Sequence, residues 1–134
     1  MLRGLPAAVR DVDTTQFWAG CDRGEILVQR CNDCRTYRWP PGPGCPSCAS
    51  TESTWVPVTG NGTVYSWVVV RVPLADALAD QVPYAVGLIA LDEGIRIVST
   101  ISGCELEDIQ PDMPVRADFT DTSEDTPIFT FIPT

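Results

Sequence analysis

Cys31-Asn32-Asp33-Cys34, followed after ten intervening residues by Cys45-Pro46-Ser47-Cys48, is the stretch on which the reading of this chain turns. Each Cys-x-x-Cys can set two thiolates on one side of a tight knuckle. Two facing knuckles make a tetrahedral four-sulfur site, the geometry that structural zinc prefers. The loop between them, with Pro40-Pro41-Gly42-Pro43-Gly44 at its heart, carries too few apolar side chains to fold by burial alone. Closing it on a metal supplies folding free energy instead, on the order of 10 kcal/mol in small zinc modules. The spacing predicts a zinc ribbon with ligands Cys31, Cys34, Cys45 and Cys48. Protein sulfurs fill all four positions, which leaves no place for a catalytic water, so the zinc is expected to be structural. Iron also suits four thiolates. Two disulfides are disfavoured in a chain with no sign of export, and a thioredoxin-like redox pair lacks its βαβ setting.

Outward from the knuckles the pattern is mostly strand. Glu25-Ile26-Leu27-Val28-Gln29-Arg30 reads as a strand running into Cys31, and Thr54-Trp55-Val56-Pro57-Val58 as a short extended piece after the ribbon. Residues 1–12 read as an irregular lead-in. Asp13 is expected to cap a short helix beginning at Thr14, with Phe17 and Cys21 one turn apart on one face and Gly24 as the stop. Beyond residue 58 come five apolar, β-branched runs: a long, bent Gly62–Val72, then Tyr84–Leu91, Ile95–Ile101, Pro114–Phe119 and Ile128–Ile132. Asp92-Glu93-Gly94 is turn chemistry that makes the second and third a hairpin. Leu74 and Leu78 share helical spacing, which fits a short helix over the barrel mouth or a surface loop. Five such strands with little helix predict a mainly β fold ending in a partly open Greek-key barrel of the OB type, with an SH3-like barrel or small sandwich as alternatives. The expected divisions are a helical lead over 1–24, the zinc ribbon over 25–57 and the barrel over 58–134.

Composition narrows the function. The 134 residues contain no histidine, and every basic residue is arginine. The usual general base near neutral pH is missing, and with it any Ser-His or Cys-His pair. The net charge of −9 is uneven: six arginines balance six acids over residues 1–57, while three face twelve over 58–134. Nucleic-acid affinity rests on cationic contacts to phosphate, so this balance opposes it. No apolar run approaches the ~20 residues that span a bilayer. The opening Met1-Leu2-Arg3-Gly4-Leu5-Pro6 lacks the apolar core of a secretory signal, which predicts a cytoplasmic protein.

Arg30, Arg35 and Arg38 cluster around the ribbon with Tyr37 and Trp39 between them. A guanidinium fork suits a diphosphate or a 3′-phosphate, and an aromatic face can stack on a base. The plainer reading is a solvated rim facing the acids of the barrel half, and on the residues alone that reading is preferred. The acids Glu105, Glu107, Asp108 and Asp112, and the later Asp118, Asp121, Glu124 and Asp125, match no calcium loop and read as solvated turns. Cys21 and Cys104 lie outside the knuckle pattern and read as small buried hydrophobes.

The order Phe17-Trp18-x-Gly20, Gly24-Glu25, Gln29-Arg30-Cys31-x-x-Cys34, Trp39-Pro40-Pro41 and Cys45-Pro46-x-Cys48 continues with Gly62-Thr63-Val64-Tyr65-Ser66, Pro83-Tyr84, Leu91-Asp92-Glu93-Gly94 and Met113-Pro114-Val115. It resembles, over about residues 13–132, a bacterial and archaeal zinc-ribbon/OB-fold family associated with acyl-CoA metabolism and long filed as a domain of unknown function. The resemblance implies a rubredoxin-like ribbon ahead of an OB barrel. It implies an accessory role beside thiolase-fold enzymes or hydratases, including thiolase-like aldolases that cleave steroid side chains as CoA thioesters. Under it, Arg30, Arg35, Arg38 and Trp39 become candidate acyl-CoA contacts. One departure stands out: many ribbons place glycine after the second cysteine of each knuckle, and here Arg35 and Ala49 stand there.

Two functions from different classes follow. The first is a non-catalytic subunit that binds a thiolase-fold aldolase or thiolase as a hetero-oligomer and shares its acyl-CoA. The second is a single-stranded nucleic-acid binder, with Trp55, Tyr65 and Trp67 as stacking platforms. The second needs a cationic groove, and the barrel half offers only Arg71, Arg96 and Arg116. A stand-alone acyl-CoA carrier is a weaker third reading, and hydrolysis lacks a base.

Overall fold

The computed structural model describes residues 2–124 and 126–134. One helix, α1 (Thr15–Asp22), leads into a three-stranded sheet of β1 (Ile26–Cys31), β2 (Tyr37–Arg38) and β3 (Ser53–Val58). Five further strands follow: β4 (Asn61–Val70), β5 (Tyr84–Leu91), β6 (Arg96–Ile101), β7 (Pro114–Asp118) and β8 (Thr130–Pro133). Among the described residues no helix is long and apolar enough to cross a membrane.

The start of α1 differs from expectation. The N-cap position is Thr14, with no side-chain cap bond, and the carboxylate that orders the turn ahead of the helix belongs to Asp11 and not Asp13. Asp11 Oδ1 accepts from the Thr14 backbone N–H at 2.9 Å, from the Asp13 N–H at 3.1 Å and from the Thr14 hydroxyl at 2.8 Å. An Asp opening a turn reaches the amides two and three residues ahead, and that local geometry won over direct adjacency to the helix. These bonds hold the Asp11 carboxyl below its ordinary range. Phe17 and Cys21 do share the buried face, and Gly24 ends the segment with φ of 76°.

The ribbon sheet is antiparallel, in the order β2-β1-β3, with Val28 opposite Val56 and Gln29 opposite both Trp55 and Arg38. Only Thr59 and Gly60 separate it from the barrel. The Glu93 carboxylate pins that joint, accepting from the Thr59 backbone and hydroxyl, each at 3.1 Å.

The barrel closes in the order β4-β5-β6-β8-β7, β7 pairing back onto β4. The last strand thus lies between the third and the fourth, the Greek-key order of an OB fold. In β5 buried Ala85, Gly87, Ile89 and Leu91 alternate with outward Tyr84, Val86, Leu88 and Ala90, the period-two pattern of a strand with one wet face. The bend expected in β4 is a register shift between Val64 and Ser66 that turns Tyr65 outward. β6 and β8 share a single parallel register pair, Ile101 with Phe131. Side chains reinforce that thin join: Ser99 Oγ donates to the Phe129 carbonyl, and Thr130 Oγ1 to the Thr100 carbonyl at 2.9 Å.

Between β4 and β5 the chain forms only a 3-10 turn at Asp76–Leu78. Leu78 is buried while Leu74 is 79% exposed, so the two leucines do not share one covering face. Cys104 ends half-buried beyond β6 and not in the core.

Ribbon and barrel share one core. Phe17 and Cys21 of α1, Ile26 and Val28 of β1, and the inward residues of the barrel form a single buried cluster. Phe129 sits at its centre with no exposed surface, its ring centroid 5.0 Å from Phe119, 5.5 Å from Phe131 and 6.4 Å from Phe17.

Candidate metal centre and its surroundings

Each knuckle is built by the same backbone bonds. Arg35 N–H donates to the Cys31 carbonyl at 3.0 Å and Cys31 N–H to the Thr36 carbonyl at 3.0 Å. In the second knuckle Ala49 N–H donates to Cys45 at 2.8 Å and Cys45 N–H to Ser50 at 2.8 Å. The turn needs a left-handed residue after the second cysteine, and Arg35 and Ala49 supply it at φ of 66° and 64°. That conformation costs a side-chain-bearing residue about 1–2 kcal/mol. Ala49→Gly is therefore expected to stabilise the zinc-loaded chain by about 1 kcal/mol, read as a higher urea midpoint. An unchanged or lower midpoint contradicts the strain.

The four sulfurs converge. Cys31 Sγ lies 3.6 Å from Cys48 Sγ and Cys34 Sγ lies 3.6 Å from Cys45 Sγ, with all four within 4.8 Å of one another. A tetrahedron with metal–sulfur bonds of about 2.3 Å has edges of about 3.8 Å, so the cage fits zinc. The sulfurs lie well beyond disulfide length, and all six cysteines are free. Cys31 and Cys45 are buried, Cys34 and Cys48 exposed.

Backbone and hydroxyl donors set the charge state of the sulfurs. The Cys34 and Asp33 amides favour the Cys31 thiolate, the Thr36 hydroxyl favours that of Cys34, and the Cys48 and Ser47 amides favour that of Cys45, so all three thiols are held below their ordinary value. At Cys48 the Ser50 amide works the same way but loses to the crowding of Cys31, Cys34 and Cys45, and the proton is held tightly. The knuckle amides thus favour thiolate at three of the four sulfurs, the form in which cysteine ligates a metal.

The other cysteines have no such setting. Burial, first, and then Asp22 push the Cys21 thiol up to about 12. Burial and the neighbouring Asp108 and Glu105 raise that of Cys104.

The ribbon arginines do not form one solvated rim. Arg30 spends its Nε–H on the Arg35 carbonyl at 2.9 Å and lays its guanidinium over Tyr37, 4.9 Å from the ring centroid. Arg35 is exposed. Arg38 is only 7% exposed: its Nε donates to Gln29 Oε1 at 2.8 Å and Nη2 to the Gly42 carbonyl at 2.9 Å. Trp39 is half-buried, its ring 4.6 Å from Phe17. Gln29 escaped the reading of the sequence. Its Oε1 accepts from both Arg38 and the Gly42 amide at 2.9 Å, and so ties the Pro/Gly loop to β1. A lone glutamine inside an apolar strand was the available signal.

A structural four-cysteine ribbon fused through a shared core to a closed five-stranded OB barrel defines the class. Comparison with known proteins agrees with it. Residues 18–54 match the family model for the ChsH2 rubredoxin-like zinc ribbon domain, and residues 55–120 that for the ChsH2 C-terminal OB-fold domain. The chain is 34% identical over 124 residues to a DUF35 domain-containing scaffold protein of Methanocaldococcus jannaschii, covering 91% of this chain and 87% of that one. It belongs to the DUF35 family, with the ribbon and barrel domains of the ChsH2 type. It is 36% identical over 133 residues to the probable enoyl-CoA hydratase alpha subunit of Thermomonospora curvata, covering 98% of this chain but 40% of that protein. It is also 34% identical over 109 residues to the 3-oxo-4,17-pregnadiene-20-carboxyl-CoA hydratase alpha subunit of Mycobacterium tuberculosis, covering 81% of this chain and 34% of that one. Among solved structures, a chain of the Ltp2-ChsH2(DUF35) aldolase superposes with a TM-score of 0.83 at 33% identity, over 94% of this chain and 98% of that one.

Proposed function

We propose that this chain is a non-catalytic accessory subunit that binds a thiolase-fold acyl-CoA enzyme in the cytoplasm and helps form its acyl-CoA site, for retro-aldol cleavage of steroid side-chain CoA thioesters. The observation that carries the reading is the likeness, along nearly the whole chain, to the ChsH2(DUF35) component of an aldolase. The relative named for a pregnadiene-carboxyl-CoA substrate supports the steroid thioester.

The chemistry of the chain fits such a division of labour. A retro-aldol step needs a base for the hydroxyl proton and stabilisation of the thioester enolate. The sequence has no histidine, its knuckle sulfurs are committed to the ribbon, and the Cys21 thiol is buried and protonated. On this reading the reacting groups belong to the partner. Tyr65, Val68 and Val98 on the barrel's outer face, and Val72 and Leu74 just beyond β4, are exposed apolar side chains of the kind an interface covers. Arg30, Arg35, Arg38 and Trp39 are the residues proposed to reach the acyl-CoA.

Co-expression with a thiolase-fold aldolase from the same genome tests the association. The expected result is a stoichiometric complex that survives size exclusion. A partner that purifies alone, stable and fully active, contradicts it.

A further inference from the structure

A cleft of about 380 Å³ opens where ribbon meets barrel, lined by Tyr37, Arg38 and Trp39, by Pro46 of the second knuckle, and by Gly94, Ile95 and Arg96 at the β5–β6 turn. Its electrostatics are unusual for a chain with a net charge of −9. Arg38 and Arg96 are among its lining residues and no acidic residue is. The Glu93 carboxylate, next to lining residue Gly94, accepts from Thr59 and forms no ion pair with either arginine. Among the described residues the ion pairs are Arg10 with Asp22 and Arg23 with Glu25, so neither cleft arginine has an acidic partner.

Arg38 is the stronger clue. It is more than nine-tenths buried, and its two satisfied nitrogens face neutral oxygens of Gln29 and Gly42. The third, Nη1, is sequestered with no acceptor. A buried cation lacking a counter-charge is costly, and an orphaned buried donor marks a place where an ion or water belongs. Arg96, across the cleft on the barrel side, is held over the Tyr65 ring at 4.0 Å, a contact that orients a guanidinium without neutralising it.

We propose that this seam is a binding site for a phosphate group, clamped between Arg38 of the ribbon and Arg96 of the barrel. The proposal deepens the acyl-CoA reading by moving the anion from the half-buried Arg30 and the exposed Arg35 to the seam and by adding a barrel residue, but it is tested on this chain alone. Arginine forks match tetrahedral phosphate oxygens with paired, charge-assisted hydrogen bonds. Because Nη1 is covered in the free chain, binding requires a side-chain rotation at the cleft wall, of the kind common at binding surfaces.

The test is a titration of the zinc-loaded chain at low ionic strength with inorganic phosphate, adenosine 3′,5′-bisphosphate, sodium acetate and sodium chloride, following the Trp39 indole and Gly94 amide by NMR. The expected result is saturable shifts at both positions with the two phosphates and not with acetate or chloride. Arg96→Gln weakens binding about ten-fold, the loss of one charged hydrogen-bonding partner, while Arg71→Gln, exposed beyond β4, leaves it unchanged. Tighter binding of the bisphosphate identifies a nucleotide source, and equal binding a free phosphate. Shifts reproduced by chloride, equal binding of acetate, or wild-type affinity in Arg96→Gln each overturn the site. Failure of the partner to bind in co-expression leaves these shifts untouched, so the two readings fail separately.

Discussion

Replacing Cys45 with serine abolishes stoichiometric zinc binding and collapses the ribbon. Cys45 is buried at the base of the second knuckle, where the Cys48 and Ser47 amides prepare its thiolate. A hydroxyl in its place stays protonated and leaves three thiolates to hold the ion. The loop from Pro40 to Gly44 then has little beyond the Gln29 and Arg38 bonds to order it. β1 lies between β2 and β3 and feeds Ile26 and Val28 into the common core, so the loss spreads beyond the knuckles. Metal analysis should fall well below one zinc per chain, and the near-ultraviolet signal of Trp39 and Trp55 should flatten. Cys104→Ala, half-buried and outside the cage, should keep the metal. A Cys45→Ser chain that melts cooperatively within a few degrees of wild type contradicts the stapling role.

Acid should do the same reversibly, and the sign can be worked out. The folded cage holds the Cys31, Cys34 and Cys45 thiols below their ordinary value, and a bound cation extends this to all four sulfurs. Groups with depressed folded-state values contribute stability above the unfolded-state value and lose it as pH falls through the folded one. Zinc is thus released on acidification and retaken on neutralisation.

Phe129→Ala is the second large effect. Phe129 has no exposed surface, and its ring meets Phe17 of the helix, Phe119 after β7 and Phe131 of β8. Truncation opens a cavity where helix, ribbon and barrel meet, and such losses cost about 3–5 kcal/mol. The closed barrel and the metal-stapled ribbon flank this point on both sides, so the site has little freedom to collapse. Urea unfolding of the zinc-loaded variant should show a much lower midpoint with an unchanged slope. A shift worth less than about 1 kcal/mol would mean that the two halves do not depend on their common core.

The barrel was legible because its strands repeat every two residues and the turns between them carry Gly, Asp and Pro. The cage was legible because metal ligation needs fixed residue types at fixed spacing. What escaped was set by geometry with no periodic trace. The Asp11 carboxylate, and not that of Asp13, orders the approach to α1 because a side-chain turn competes with adjacency to the helix. β8 starts at Thr130 and not Ile128, since its register is fixed by β7 and a single pair with β6. Arg38 read as a surface charge, as arginines usually are. Its burial follows from Gln29, a partner nine residues away whose role appears only once β1 and β2 pair.

On the proposed reading, this chain contributes a folded, zinc-held surface to chemistry that another subunit performs. Turnover of a steroid side-chain CoA thioester, measured for the zinc-loaded chain, for the proposed thiolase-fold partner and for the two combined, tests that division of labour. The expected result is no cleavage by the chain, little by the partner and full rate in the mixture. Cleavage by this chain unaided, or a partner indifferent to its addition, would contradict it.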